Sequence, residues 1–238
     1  MAEINPAIIS VNDLKEKDTD DLIVLLTIPN KEINQMLVNQ INSLGLNVEI
    51  QNILKPALMH SPAKEEYFKT LKEKLTAKGL QDNLEFIRVG KPYDGGYILA
   101  DDFSEDMIVY SFGIAGDVSF DEQLADKNMD IRMYDHTIPY LPKEHERFHF
   151  HKTGISAIDE PENSKLSMKT ILEDNGHQDN HNLILKMDVE GAEWDFINTT
   201  SSDILNQFTQ ITFELHRLTD TANAENILNA LDKLNKTH

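Results

Sequence analysis

The sequence predicts an α/β domain built on a parallel sheet. From Asp106 onward, short apolar strands alternate with stretches of helical pattern, the spacing of βαβ crossovers. Several of those strands end in glycine or in ionisable residues, at the carboxyl edge where open α/β sheets hold ligands. At 238 residues and 40% hydrophobic, the chain can fill one full-sized core with a small module appended.

In chain order, the first 60 residues hold a strand-like run, D-L-I-V-L-L-T-I-P, a helix from about Lys31 to Leu44, then Gly45 and the short strand N-V-E-I. One βαβ unit cannot bury both faces of its own strands, so residues 1–60 read as an accessory segment on a main domain of residues 61–238. Ser61 to Gly79 reads as a helix. Ser61 caps it, Pro62 suits its first turn, Tyr67, Leu71 and Leu75 line one face, and Gly79 ends it in the left-handed conformation. The strands that follow are M-I-V-Y-S-F, D-I-R-M-Y, R-F-H-F, N-L-I-L-K-M-D and T-Q-I-T-F-E-L. A last helix, about Thr221 to Asn235, places Ile227, Leu228, Leu231 and Leu234 on one stripe.

Composition narrows the function. With 41 acidic against 22 basic side chains and a formal charge of -19, the chain repels phosphate backbones and anionic lipid, so neither nucleic acid nor membrane is an expected partner. No cysteine is present, which removes disulfides, thiolate metal sites and cysteine nucleophiles. The longest apolar run, Leu22 to Ile28 with Thr27 inside it, is too short to span a bilayer, and M-A-E-I-N-P lacks the basic and apolar regions of a signal peptide. A cytoplasmic protein acting on a small molecule is expected.

The stretch Y-S-F-G-I-A-G-D-V-S-F, Tyr110 to Phe120, reads as strand, glycine turn and helix start. Gly113 and Gly116 bracket the turn, and Ser119 with Glu122 reads as a capping box. Such a turn presents backbone N–H groups to a ligand. The third glycine of a dinucleotide fingerprint is missing, and Asp117 and Asp121 stand where they would repel a pyrophosphate. A cationic, phosphate-free cofactor such as S-adenosylmethionine fits better. Asp135 ends the second strand 22 residues after Gly113, where a carboxylate takes ribose hydroxyls.

Two more groups lie at strand ends. L-I-L-K-M-D-V-E-G-A-E-W runs into Asp188, Glu190 and Glu193, and the next strand ends in Glu214 and His216. Asp188, Glu214 and His216 converge at adjacent strand ends and are the candidate catalytic residues, whereas Glu193 reads as a helix-start residue favoured by the dipole. Upstream, K-P-Y-D-G-G-Y gives Asp94, Gly95 and Gly96 a turn flanked by Tyr93 and Tyr97, which suits the wall of a small pocket.

Taken together and in order, D-G-G-Y, Y-S-F-G-I-A-G-D-V-S-F-D, Asp135-His-Thr, L-K-M-D-V-E-G-A-E-W and F-E-L-H resemble the FkbM-like S-adenosylmethionine-dependent methyltransferases, many of them associated with bacterial surface glycans. The resemblance runs from about Phe86 to the C-terminus. It implies a Rossmann-like class I methyltransferase sheet. By position, Gly113, Ile114, Ala115 and Gly116 wrap the methionine end of the cofactor, with Asp117 and the Asp94-Gly95-Gly96 turn beside it. Asp135 holds the ribose and Asp188 borders the transferred methyl.

The expected activity is methyl transfer to oxygen or nitrogen of a small polar acceptor: a sugar, a surface-glycan precursor, or a small phosphorylated or amino compound. His216 is the candidate base. No metal is assigned; a variant places Mg²⁺ or Mn²⁺ on Asp188, Glu214 and His216, as in catechol O-methyltransferase. An NAD(P)-dependent oxidoreductase and a non-catalytic ligand-sensing module are the alternatives. The family fold usually continues after its fifth strand with an antiparallel strand pair, and here only a helix follows F-E-L-H. The edge of the last strand is therefore expected to be open, and pairing into a homodimer is the expected outcome.

Overall fold

The computed structural model describes residues 23–26, 39, 49–52, 62–76, 79–80, 84–92 and 94–238. The chain divides into two compact units, Met1–Glu66 and Tyr67–His238. In the first, β1 (Ile23–Leu26) pairs in parallel with β2 (Glu49–Asn52), Ile23 opposite Glu49. Parallel neighbours require a crossover between them. The helix expected there lies, Asn39 aside, outside the described residues.

The second unit is built on five parallel strands. They are β5 (Ile108–Phe112), β6 (Asp130–Tyr134), β7 (Phe148–His151), β10 (Leu183–Met187) and β11 (Phe208–Phe213), in the spatial order β7-β6-β5-β10-β11. All five residues of β10 are buried, as are four of the five in β5, because a parallel sheet is covered on both faces. This is a Rossmann-like sheet. The chain starts at β5, winds outward to β7, then crosses back to β10, which leaves a switch point between β5 and β10.

One face is covered by α1 (Pro62–Lys74), α3 (Met168–Asp174), α4 (Glu193–Thr199), α5 (Ser202–Leu205) and α6 (Ala224–Thr237), which pack Tyr67, Ile171, Trp194, Leu205 and Ile227 against Tyr110, Phe112 and Leu185. The other is covered by α2 (Ser119–Ala125) and an antiparallel hairpin of β3 (Phe86–Val89) and β4 (Tyr97–Ala100), through Leu124, Phe120, Val89 and Leu99. A short parallel pair, β8 (Gly154–Ile155) with β9 (Lys165–Leu166), completes the unit. Among the described residues, no helix is long and apolar enough to cross a membrane.

Two local expectations change. α1 stops at Lys74, tied there by Asn235, whose side-chain amide donates to the Lys74 carbonyl at 3.0 Å. Leu75 is left 42% exposed and Gly79 lacks the positive φ of a terminating glycine. Ser119 does not cap α2: Asp117 Oδ1 accepts the Ser119 N–H at 3.1 Å, while Glu122 pairs with Lys143. Finally, the open edge of β11 gains one unexpected side-chain contact. β4 lies beside β11, and the Gln210 amide accepts the Ala100 N–H at 2.8 Å and donates to the Ala100 carbonyl at 3.1 Å. β3 and β4 remain a separate sheet, so β11 is still the outer strand of the five, as expected.

Candidate active site

The chain leaves β5 at Gly113 and β10 at Asp188, side by side at the switch point. The Gly113 N–H donates to Tyr134 O at 3.1 Å and the Asp188 N–H to Phe112 O at 3.0 Å, so the ladders extend one residue past each strand. Gly113 has φ 75°, and a Cβ on it would lie 1.6 Å from the Asp188 carbonyl oxygen. Only glycine satisfies both conditions.

Beyond it, Ile114 is buried, while Ala115, with φ 48°, and Gly116 are exposed. A Cβ on Gly116 would meet open space. The N–H groups of Ile114 and Ala115 donate to Asp135 Oδ2 at 2.9 and 3.0 Å. Asp135 Oδ1 accepts the Thr137 N–H at 2.8 Å and the Thr137 hydroxyl at 2.6 Å. A carboxylate offers about four acceptor positions, and all are engaged. Burial pushes the Asp135 carboxyl up, but the bonds from Ala115, Thr137 and Ile114 outweigh it and hold the group below its ordinary value. The carboxylate expected to grip ribose spends its lone pairs on the turn.

Asp117 and Asp121 also depart from expectation. Asp117 pairs with Lys91 at 2.9 Å and accepts the Ser119 N–H at 3.1 Å, so its charge is matched locally. Asp121 is 2% exposed and turned inward; burial pushes its carboxyl up to about 6, against the pull of Lys186 and Ser111. The repulsion invoked against a pyrophosphate therefore has no second free carboxylate behind it.

The Asp94-Gly95-Gly96 turn seats on the start of α2. A Cβ on Gly95, at φ 82°, would fall 1.9 Å from Asp117 Oδ2, and one on Gly96 would fall 2.1 Å from Lys91 O. Lys91 N–H donates to Ser119 Oγ at 3.0 Å. The two glycines act by close packing, while exposed Asp94 adds negative charge toward Tyr97 and Glu214. Tyr93 lies outside the described residues.

Asp188, Glu214 and His216 do converge. His216 Nε2 lies 3.7 Å from Asp188 Oδ1, 3.7 Å from Glu214 Oε1 and 3.6 Å from Glu190 Oε2. Tyr97 donates its hydroxyl to Asp188 Oδ2 at 3.2 Å. Burial, then the neighbouring Asp188, pushes the Glu214 carboxyl up. Glu193 is the first residue of α4, as expected, but it is fully buried. Its carboxylate accepts the N–H of His216 and of Gly191, both at 2.7 Å, and its Oε1 lies 3.3 Å from His216 Nδ1. Trp194 Nε1–H donates to His216 O at 2.9 Å. The D-V-E-G-A-E-W segment is thus the bracket that holds the end of β11 against the end of β10.

Two further residues escaped the sequence reading. Lys186 is a charged residue inside an apolar strand, 5% exposed, and that interruption was the available signal. Its ammonium lies 5.3 Å from the Tyr97 ring centroid. Tyr97, read only as a pocket wall, links Lys186 to Asp188.

Residues 41–238 match the family Methyltransf_22, described as a methyltransferase domain. The chain belongs to this methyltransferase family. No curated protein and no solved structure matches it. The methyltransferase is accordingly an S-adenosylmethionine-dependent enzyme, and its five-stranded parallel sheet is consistent with a Rossmann-like methyltransferase fold. The turn fits that cofactor in kind. Gly116 leaves the chain bare, and Asp94, Asp188 and Glu214 suit a molecule carrying a sulfonium and an ammonium.

Proposed function

We propose that the enzyme methylates an oxygen or nitrogen of a small, hydroxyl-rich acceptor, a sugar or surface-glycan precursor, in the cytoplasm. The observation that carries this reading is the placement of Asp188, Glu214 and His216 beside the Gly113 turn. Cofactor and acceptor subsites then share the carboxyl edge of three adjacent strands, β5, β10 and β11. The FkbM-like motifs D-V-E-G-A-E-W and F-E-L-H support the acceptor class, and so does the polar, carboxylate-rich lining, which suits hydroxyl groups better than an apolar acceptor.

Bound at the turn, S-adenosylmethionine supplies an electrophilic methyl group, which passes to the acceptor as its sulfonium becomes a neutral thioether. The chain supplies the rest. Ile114, Ala115 and Gly116 cradle the methionine end, Asp188 orients the acceptor, and His216 accepts the acceptor proton, a role worth about 10²–10⁴-fold. Asp135 serves the cofactor through the shape of the turn.

One observation favours a metal-assisted form. Single ligand atoms of Asp188, Glu214 and His216 all lie within 4.8 Å of one another, and buried Glu193 stands behind the His216 ring as carboxylates do behind metal-bound histidines. In that form Mg²⁺ or Mn²⁺ would orient the acceptor oxygens.

Titration calorimetry with S-adenosylhomocysteine, NAD⁺ and NADP⁺ tests the cofactor, and methyl transfer to a panel of nucleotide sugars and glycan precursors tests the acceptor. Micromolar binding of S-adenosylhomocysteine alone is expected. Binding of NAD⁺ without S-adenosylhomocysteine would overturn the reading, and transfer to none of the sugars would overturn the acceptor class.

A further inference from the structure

The peptide joining Gly113 to Ile114 is gripped at both ends by buried charges. Its carbonyl, Gly113 O, accepts from Lys186 Nζ at 2.6 Å, and Phe112 O accepts from the same ammonium at 3.3 Å. Its N–H, on Ile114, donates to Asp135 Oδ2 at 2.9 Å. The cation is 5% exposed and the anion 5% exposed, and they act on the same dipole from opposite sides. Bonds to charged groups in a dry setting are about twice as strong as neutral ones, so the peptide is held in one of the two orientations open to a glycine turn.

A lysine in the middle of a parallel strand carries a desolvation cost that an apolar residue would avoid. Part of it is offset by the charge of Asp121, itself 2% exposed and with no hydrogen-bond partner for its Oδ1, which acts on Lys186 without forming an ion pair with it. Neither residue reaches the Asp188–Glu214–His216 cluster by a hydrogen bond. Core filling alone requires no such pair.

We propose that Lys186 is a positioning residue for the cofactor: with Asp121 as counter-ion and Asp135 as opposing anion, it locks the Gly113–Ile114 peptide in the orientation that the turn needs to bind its ligand. The proposal rests on S-adenosylmethionine occupying that turn. Removing Lys186 alone leaves Asp121 buried without a counter-charge, so Lys186→Met is expected to lower both stability and affinity. The informative variant removes the two buried charges together, Lys186→Met with Asp121→Leu, because replacing buried charges of opposite sign by apolar residues commonly restores stability.

The double variant is expected to melt near the wild-type temperature, to bind S-adenosylhomocysteine at least tenfold more weakly in calorimetry, and to show faster hydrogen exchange at the Ile114 amide. Wild-type affinity and wild-type exchange in the double variant would overturn the proposal. If that variant does not fold, Lys186→Gln with Asp121→Asn keeps polar groups in place and removes the reach to Gly113, and the same two measurements decide. Failure of the wild-type enzyme to bind S-adenosylhomocysteine would count against the cofactor reading instead, and Ile114 exchange would then still test the clamp alone.

Discussion

Gly113 and Asp188 meet backbone to backbone: a Cβ on the first would sit 1.6 Å from the carbonyl oxygen of the second. The cofactor turn and the acidic strand end are therefore pressed together. Gly113→Ala must both adopt φ 75° and push β10 away. It is expected to cost about 2 kcal/mol or more, several degrees of melting temperature, and to abolish detectable S-adenosylhomocysteine binding. Scanning calorimetry and titration calorimetry check the two halves, and wild-type affinity in the variant would contradict them.

Asp135→Ala removes the acceptor for the Ile114 and Ala115 N–H groups and for Thr137. Affinity for S-adenosylhomocysteine is expected to fall at least tenfold, about 1.4 kcal/mol. Because the carboxylate works through the turn, melting temperature should fall with it. A variant that loses affinity at unchanged stability would restore direct contact with ribose as the role of this residue.

The pH dependence of that contribution has a definite sign. The folded Asp135 carboxyl lies below its ordinary value, so its stabilisation is complete above the unfolded value of about 3.9 and disappears as pH falls through the folded one. The difference in melting temperature between wild type and Asp135→Asn is expected to be constant from neutral pH to about 4.5 and to shrink below about 4.

Asp188→Asn and His216→Ala are expected to reduce methyl transfer by about 10²-fold or more while leaving S-adenosylhomocysteine affinity within a few-fold. Steady-state kinetics and calorimetry on the same preparations check this. Activity that is lost with a chelator and returns with Mg²⁺ or Mn²⁺ would favour the metal-assisted form.

Glu193→Gln should loosen the bracket between the ends of β10 and β11. One carboxylate oxygen accepts the His216 N–H and the other the Gly191 N–H. The expected cost is about 1–3 kcal/mol in stability, with a larger fall in turnover than in cofactor affinity, because His216 moves and Gly113 does not.

Much of this arrangement was legible in the chain. The five strands stand out because a sheet buried on both faces demands continuous apolar runs, and Asp188, Glu214 and His216 stand out because they follow those runs at once. What stayed hidden depends on partners distant in sequence. The bonds from the Ile114 and Ala115 amides to Asp135 cannot be read from the chain, because they join a turn to a strand end about twenty residues on. In D-V-S-F-D-E, Ser119 looks like a cap, but its hydroxyl is taken by the Lys91 N–H, a partner distant in sequence. Lys186 reads as a surface residue by type and is buried by position.

The join between Gln210 and Ala100 sets an order on folding. Its two ends are 110 residues apart, and the hairpin that carries Ala100 is synthesised long before the strand that carries Gln210. During translation the hairpin and the glycine turn emerge while β10 still lacks its outer neighbour, and the apolar residues of α6 follow β11. Contacts of such long range are slow to close and leave sheet edges exposed meanwhile. The approach of His216 to Asp188, like the join between Gln210 and Ala100, must therefore wait until β11 has been made.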